Sequence, residues 1–321
     1  MKKAIITGAD GFIGRNLVWE LLENDYVVYA VVMKKDSAKR ILGIHENMNL
    51  IECDMEHYEM LLNYPNLKEI PVLFHFAWAG VSDQFSADYV TQLNNVKYSC
   101  DLQTVASRLG IKRLVFADSI MEYEHIKSIE NGFYQVSLRN TYHVAKIAAR
   151  NLIQLRAANM KMEFIPVVIS NVYGVGETSA RLINTAIRNL LAHKHMSFTS
   201  GEQLYDFIYI SDAVCAIRMA AEKGINNKSY YIGNKEQIPL KIYLQEMRDI
   251  LAPDMKLGIG ELQMHGISLE YNEIDTCSIY EDLGFEPQYS FAQGIKMTAD
   301  WILAAEKGQN YENNNGSYSN I

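Results

Sequence analysis

Tyr142 and Lys146 stand four residues apart in Tyr142-His143-Val144-Ala145-Lys146, within a segment where Val144, Ile147, Ala148, Leu152 and Leu155 recur at helical spacing. Residues four apart on a helix share a face, so the phenol and the ammonium point the same way. A free tyrosine titrates near pH ~10 and needs a positive neighbour to exchange a proton near neutrality. Ser119 follows an apolar strand-like run, Arg113 to Ala117, aimed at the same edge, where it could hold a substrate oxygen while the tyrosine moves the proton. These are the parts a carbonyl reduction requires. The Tyr-x-x-x-Lys spacing alone also describes an ordinary exposed helix pair, so the reading depends on the elements around it.

The start of the chain supplies the first such element. A short apolar run, Ala4-Ile5-Ile6, meets three glycines, Gly8, Gly11 and Gly14, and an apolar-periodic helix pattern follows at once through Phe12, Ile13, Leu17, Val18, Leu21 and Leu22. A strand-to-helix turn of this kind lets backbone approach a pyrophosphate, with the helix N-terminus offering unpaired N–H groups and partial positive charge. Its plain alternative is a tight turn without a ligand. With this cradle in the chain, an oxidised nicotinamide ring joins Lys146 as a source of positive field at Tyr142.

Further along, Tyr26 to Met33 reads as a strand buried in a parallel sheet. In NAD-binding versions of the turn, an acidic residue about twenty positions beyond the glycines holds the ribose 2′-hydroxyl. Here Val32 and Met33 occupy that place and Lys34, Lys35, Lys39 and Arg40 follow, so the 2′-phosphate of NADP is the better fit, although Asp36 could turn inward and terminal lysines are often plain solvated surface. Asp54, after a strand at Asn49 to Glu52, either bonds the adenine amino group or caps the next helix. A fourth strand, Val72 to Phe76, leads into Ala77-Trp78-Ala79-Gly80, small residues at the edge where ligands lie in open α/β sheets. His75, between aromatics in that strand, reads as a core histidine with a backbone partner. A helix from about Asp83 to Leu109 carries Asn95. Strand and helix alternate throughout, which predicts an α/β fold with a doubly wound parallel sheet.

Composition narrows the class. The 321 residues are 49% hydrophobic, ordinary for a folded core, and the net charge of −8 without long Lys/Arg runs argues against nucleic acid or an anionic membrane surface as partner. Four scattered cysteines, Cys53, Cys100, Cys215 and Cys277, lack the spacing of a zinc site or disulfide framework, so no metal is expected and the reducing cytoplasm is the expected compartment. The apolar run after Met1-Lys2-Lys3 is short for a signal peptide, and no stretch approaches the ~20 apolar residues of a membrane span.

These motifs together identify a resemblance. TGADGFIG at Thr7 to Gly14, HFAWAG at His75 to Gly80, Asn95, Ser119 ahead of Glu122-Tyr123, Tyr142 with Lys146, NVYGVG at Asn171 to Gly176, DFIYISD at Asp206 to Asp212 and LGFEP at Leu283 to Pro287 resemble the extended short-chain dehydrogenases/reductases, the NAD-dependent epimerase/dehydratase group acting on nucleotide sugars. The likeness spans about residues 1 to 307. It implies Ser119, Tyr142 and Lys146 as catalytic residues. Cofactor contacts are implied at Gly8, Asp10, Gly11, Phe12, Ile13, Gly14, Lys34, Asp54, Ala77, Ala79 and Asn95 as well as Tyr142 and Lys146, and substrate contacts at Ser119, Asn171 and Arg181. It also implies a Rossmann domain from 1–170 with a return segment near 205–231, a smaller C-terminal α/β substrate domain from about 171–204 and 232–308, and a homodimer pairing through the helices near 84–108 and 140–158.

Departures from the family pattern sort the activities. The 4,6-dehydratases of this family typically carry Thr-Asp-Glu from the Ser119 position onward, whereas this chain has Ser119-Ile120-Met121, and neither apolar side chain exchanges a proton. Tyr205-Asp206 replaces the Arg-Asp of many epimerases, removing a phosphate-gripping arginine for which Arg181 or Arg188 could substitute. Ser119-Ile120-Met121-Glu122-Tyr123 also resembles 4-keto-sugar reductases. The expected activity is therefore NAD(P)H-dependent reduction of a nucleotide-linked 4-keto-6-deoxy sugar. The alternatives are a 4-epimerase that retains NAD and a non-catalytic dinucleotide-binding protein. After Lys307 the chain turns polar and Asn-rich, and residues 309–321 read as a flexible tail.

Overall fold

The computed structural model describes residues 2–81, 85–130, 140–264, 268–308, 311–313 and 316–318. The first part alternates strand and helix: β1 (Lys2–Thr7), α1 (Phe12–Glu23), β2 (Tyr26–Val32), α2 (Lys35–Leu42), β3 (Met48–Glu52), β4 (Val72–His75), α3 (Tyr89–Leu109), β5 (Arg113–Ser119), then α4 (Met121–Glu130), α5 (Asn140–Asn159) and β6 (Glu163–Ile169). The second part runs β7 (Asn171–Tyr173), α6 (Leu182–Leu191), β8 (Ser197–Phe198), β9 (Leu204–Tyr205), β10 (Phe207–Tyr209), α7 (Ile210–Lys223) and β11 (Tyr230–Ile232). It continues with β12 (Ile238–Pro239), α8 (Leu240–Leu251), β13 (Gly258–Ile259), α9 (Ser278–Leu283) and α10 (Phe291–Glu306).

Seven strands form one parallel sheet in the order β11-β6-β5-β4-β1-β2-β3. The chain winds outward from β1 to β3 and restarts on the other side of β1 with β4, so the strand order reverses between β1 and β4, where Thr7 lies opposite His75. Such a reversal opens a crevice at the carboxyl ends of the strands. Alternation along the strands feeds two layers. Ala4, Ile6, Phe74 and Val115 enter one core with Leu17 and Leu21 of α1 and Ile217 of α7. Ile5, Leu73, Leu114 and Phe116 enter the other with Val105 of α3 and Ile153 of α5. The first core continues into the second part of the chain through Ile187, Tyr243 and Ile302.

The helix expected from Asp83 begins at Tyr89, because the Asp88 carboxylate caps it by accepting the Thr91 N–H at 3.1 Å; residues 82–84 lie outside the described ones. β5 runs on to Ser119, since Ala117, Asp118 and Ser119 pair with Val167, Val168 and Ile169 of β6. β4 ends one residue earlier than the sequence pattern suggests, at His75. The segment expected to return near 205–231 brings α7 and β11 to the large sheet, β11 pairing with β6. The polar terminus, read as a tail, holds a short antiparallel pair, β14 (Tyr311–Asn313) with β15 (Gly316–Tyr318). No helix among the described residues is long and apolar enough to cross a membrane.

Candidate active site

At the reversal, the loop after β1 is pressed against the loop after β4. Gly8 has φ +68°, and a Cβ there would lie 2.6 Å from the Ala77 nitrogen; a Cβ on Gly14 would lie 2.0 Å from the Gly8 carbonyl oxygen. Only bare backbone fits at these points. Gly11 is the N-cap of α1 and provides no side-chain cap, and the first turn carries no acidic residue. The free N–H groups and dipole of that turn are thus offered to an anion, and a dinucleotide's pyrophosphate fits them. Asp10, Phe12 and Ile13 line this turn. Asp54 caps the short helical segment from Met55 by accepting the Glu56 N–H at 3.2 Å, the second of its two expected roles.

A buried strut holds the edge of the crevice. Thr7 Oγ1 and His75 Nδ1 are 2.8 Å apart, His75 Nε2 and Ser99 Oγ 2.9 Å, and Ser99 Oγ donates to the Asn95 carbonyl at 2.8 Å. Since the Ser99 hydroxyl proton is committed to Asn95, the network assigns the His75 proton to Nε2 and makes Nδ1 the acceptor from Thr7. Burial drives the His75 pKa down to about 3, so it is a neutral core histidine, with side-chain rather than the expected backbone partners. Asn95 is itself 2% exposed and spends its amide on the backbone of Ala79, accepting from the N–H at 3.0 Å and donating to the carbonyl at 2.8 Å. It shapes the loop after β4 from beneath.

Above that loop the three residues singled out for chemistry converge. Ser119 stands within hydrogen-bonding reach of the Tyr142 hydroxyl, and its Oγ accepts the Met121 N–H at 3.3 Å. Burial raises the Tyr142 pKa to about 12, the Glu122 carboxyl adding to the rise, while the Ser119 hydroxyl and the Arg181 charge oppose it. The expected lowering by Lys146 is therefore not what governs the phenol here: desolvation outweighs the positive neighbours. Lys146 is 5% exposed, donates to the Ala117 carbonyl at 2.8 Å, and lies 3.9 Å from the Trp78 ring centroid and 5.0 Å from that of Phe116. Burial brings its pKa down to about 8.

Trp78 is the residue the sequence reading passed over. Its indole N–H donates to Gln92 at 2.9 Å and its ring meets Tyr142 edge-on at 6.1 Å, so one side chain touches both the ammonium and the phenol. Gln92 is fully buried and also donates to the Gly80 carbonyl at 2.9 Å, fixing the same loop. A tryptophan between two small residues was the available signal, and it reads as packing until its neighbours are known.

At the open end of β2, Lys34 is an exposed N-cap of α2 without a side-chain cap bond. Glu52, opposite Val32 in the register, accepts the Lys35 N–H at 2.9 Å, which places a carboxylate at this corner from a strand the glycine-to-acid spacing does not consider. On the far side of the crevice, Asn171 donates to the Asp206 carbonyl at 3.1 Å and Tyr205 stacks on Phe207 with centroids 5.4 Å apart. Asp206 is fully buried and accepts from the Tyr231 hydroxyl at 2.8 Å and the Asn234 N–H at 2.9 Å, a structural use of its carboxylate. Arg188 is ion-paired with Glu306 at 2.8 Å on the surface, whereas Arg181 stands at the N-cap position of α6 without a side-chain cap bond, and its charge reaches Tyr142.

Comparison with known proteins gives the family and the fold. The model of the NAD dependent epimerase/dehydratase family matches residues 4–233. The CDP-abequose synthase of Salmonella muenchen is 22% identical over 302 residues, covering 92% of this chain and 96% of that protein. The dTDP-glucose 4,6-dehydratase of Haemophilus influenzae is 24% identical, covering 94% and 98%. Among solved structures, the UDP-glucuronic acid 4-epimerase from Bacillus cereus in complex with NAD superposes with a TM-score of 0.75 at 20% identity, over 96% of this chain and 98% of that one.

Proposed function

Since the chain belongs to the NAD dependent epimerase/dehydratase family, we propose that it is a reductase of a nucleotide-linked 4-keto-6-deoxy sugar, working at C4 with NADPH in preference to NADH. The observation that carries the reading is the site's acid: a phenol held protonated by burial and within reach of Ser119, next to two positions, Ile120 and Met121, that move no proton. Elimination of water needs an additional acid and base there; reduction of a ketone needs one acid.

When bound, the nicotinamide supplies the hydride that becomes the new C–H bond. Gly8, Gly11, Gly14 and the first turn of α1 would hold its pyrophosphate. Reduction of the carbonyl would place negative charge on its oxygen. The Ser119 hydroxyl donates a hydrogen bond to that oxygen, and Tyr142 transfers its proton to it, completing the alcohol. Lys146 steadies the charge left on the phenolate. Arg181, whose charge already acts on Tyr142, is the residue proposed for the sugar-linked phosphates, with Asn171 beside it.

The NADPH preference is supported by Lys34 and Lys35 at the start of α2, with Lys39 and Arg40 in its last turn. A 4-epimerase would use the same three residues, and the NAD-containing structural relative is what favours that second reading. We also propose a homodimer through α3 and α5, in the cytoplasm. The deciding experiment follows nicotinamide absorbance during turnover. A nucleotide-linked 4-keto-6-deoxy hexose should oxidise NADPH mole for mole; product formed from a 4-hydroxy sugar without net cofactor consumption would establish the epimerase instead.

A further inference from the structure

Two carboxyl groups lie directly behind the Ser119–Tyr142 pair, and the chemistry above uses neither. Asp118 precedes Ser119 at the end of β5, with its side chain fully buried; Glu122 sits in the first turn of α4 and is 1% exposed. The Asp118 carboxyl stands beside that of Glu122 and acts on it electrostatically. Glu122 Oε1 also takes the Ser119 N–H at 3.3 Å, and Arg150 Nη1 stands 3.2 Å from Asp118 Oδ2. Apart from that ion pair, neither Oδ atom of Asp118 has a hydrogen-bond donor among the N–H and hydroxyl groups of the described residues.

Two carboxylates in contact away from water repel; the contact becomes attractive only when one proton lies between them. Arg150 sits against Asp118, whereas Glu122 faces Asp118 from β5 and Tyr142, Lys146 and Arg150 from α5. We propose that Glu122 keeps its carboxyl proton and donates it to Asp118, acting as a positioning residue that fixes Ser119 and leaves the cations of α5 in excess beside Tyr142. Burial and the Asp118 carboxylate both raise the Glu122 pKa, and Lys146 and Arg150 only partly oppose them, which is consistent with the assignment. Were both carboxyls ionised, two anions would cancel Lys146 and Arg150, and Arg181 alone would be left to favour the phenolate. With the shared proton, two cations oppose one anion. The backbone of Ser119 is then held at both ends of the turn, by the sheet and by Glu122.

The effect on turnover rests on the proposed reduction; the shared proton belongs to the free protein and is read without substrate. Infrared difference spectra of wild type against Glu122→Gln, recorded near neutral pH, should show a protonated-carboxyl stretch that the variant lacks. No such difference would overturn the assignment. In turnover, Glu122→Gln offers Asp118 an N–H in place of the acid O–H and should stay within about threefold of wild type, while Glu122→Ala leaves a buried carboxylate without its donor and should lose about tenfold or more in kcat with cofactor binding retained. Equal losses in both variants would mean that the charge of Glu122 matters, and would also overturn it. Should Glu122→Ala fail to fold, the infrared comparison and Glu122→Gln still decide. A wild type that reduces no 4-keto sugar but keeps the carboxyl band would count against the reductase reading and leave the shared proton standing.

Discussion

Tyr142 carries a proton that burial holds to about pH 12, and Lys146 one that burial loosens to about pH 8. The two shifts have the same cause and opposite chemical effects, because desolvation disfavours the charged form of each. Tyr142→Phe should therefore leave cofactor binding intact, by titration of nicotinamide fluorescence, while kcat falls by roughly 10² or more, the range for losing a general acid; a near-normal rate would remove Tyr142 from the chemistry. For Lys146 the sign runs the other way: its charge is present below about pH 8 and lost above, so kcat in the wild type should decline on the alkaline side of that value. Helical spacing and a strand end made Ser119, Tyr142 and Lys146 legible in the sequence. Trp78, Gln92 and the Asp118–Glu122 contact were not, since a buried polar pairing depends on which distant segments meet, as Trp78 meets Lys146 across 68 positions of sequence.

Elements were legible where pattern alone decides them. The strands β1 to β5 were readable as short runs, and their alternation with helices predicted a doubly wound parallel sheet. The start of α3 was not readable, because a cap at Asp88 overrode an apolar pattern that extends further back. The junction of β2 and α2 shows the same limit for function: lysines are visible in sequence, but Glu52 arrives beside them from β3. With its carboxylate engaged by the Lys35 N–H, the lysines still dominate the corner in our reading. Replacing Lys34 and Lys35 with Ala should weaken NADPH binding about 1–2 kcal/mol more than NADH, the scale of charge-assisted bonds, as measured by competition calorimetry. Equal weakening would give the 2′ position to a hydroxyl, with Glu52 or Asp36 as its partner.

For the whole molecule, α3 and α5 cover one face of the sheet and still expose Leu93 at 60% and Leu155 at 71%, alongside Tyr89, Val90 and Leu152. Apolar residues gathered on two adjacent helices are the surface a two-fold partner would bury. Light scattering should give twice the chain mass, and Leu93→Glu with Leu155→Glu should halve it; a wild-type monomer would exclude the pairing. The order in which the sheet is assembled carries a different consequence. β11 closes the edge beside β6, and α7 lies on α1, tied there by Arg218 to Glu20 at 2.7 Å, yet β11 is encoded after β7, α6 and β10, and α7 after β7 and α6. During synthesis, a nascent chain that has emerged through β6 therefore has an open strand edge and a bare apolar face on α1 until some sixty further residues leave the ribosome. The seven-stranded sheet is thus the first part to be translated and among the last to be finished, and in that interval the growing polypeptide presents a surface for chaperones to cover.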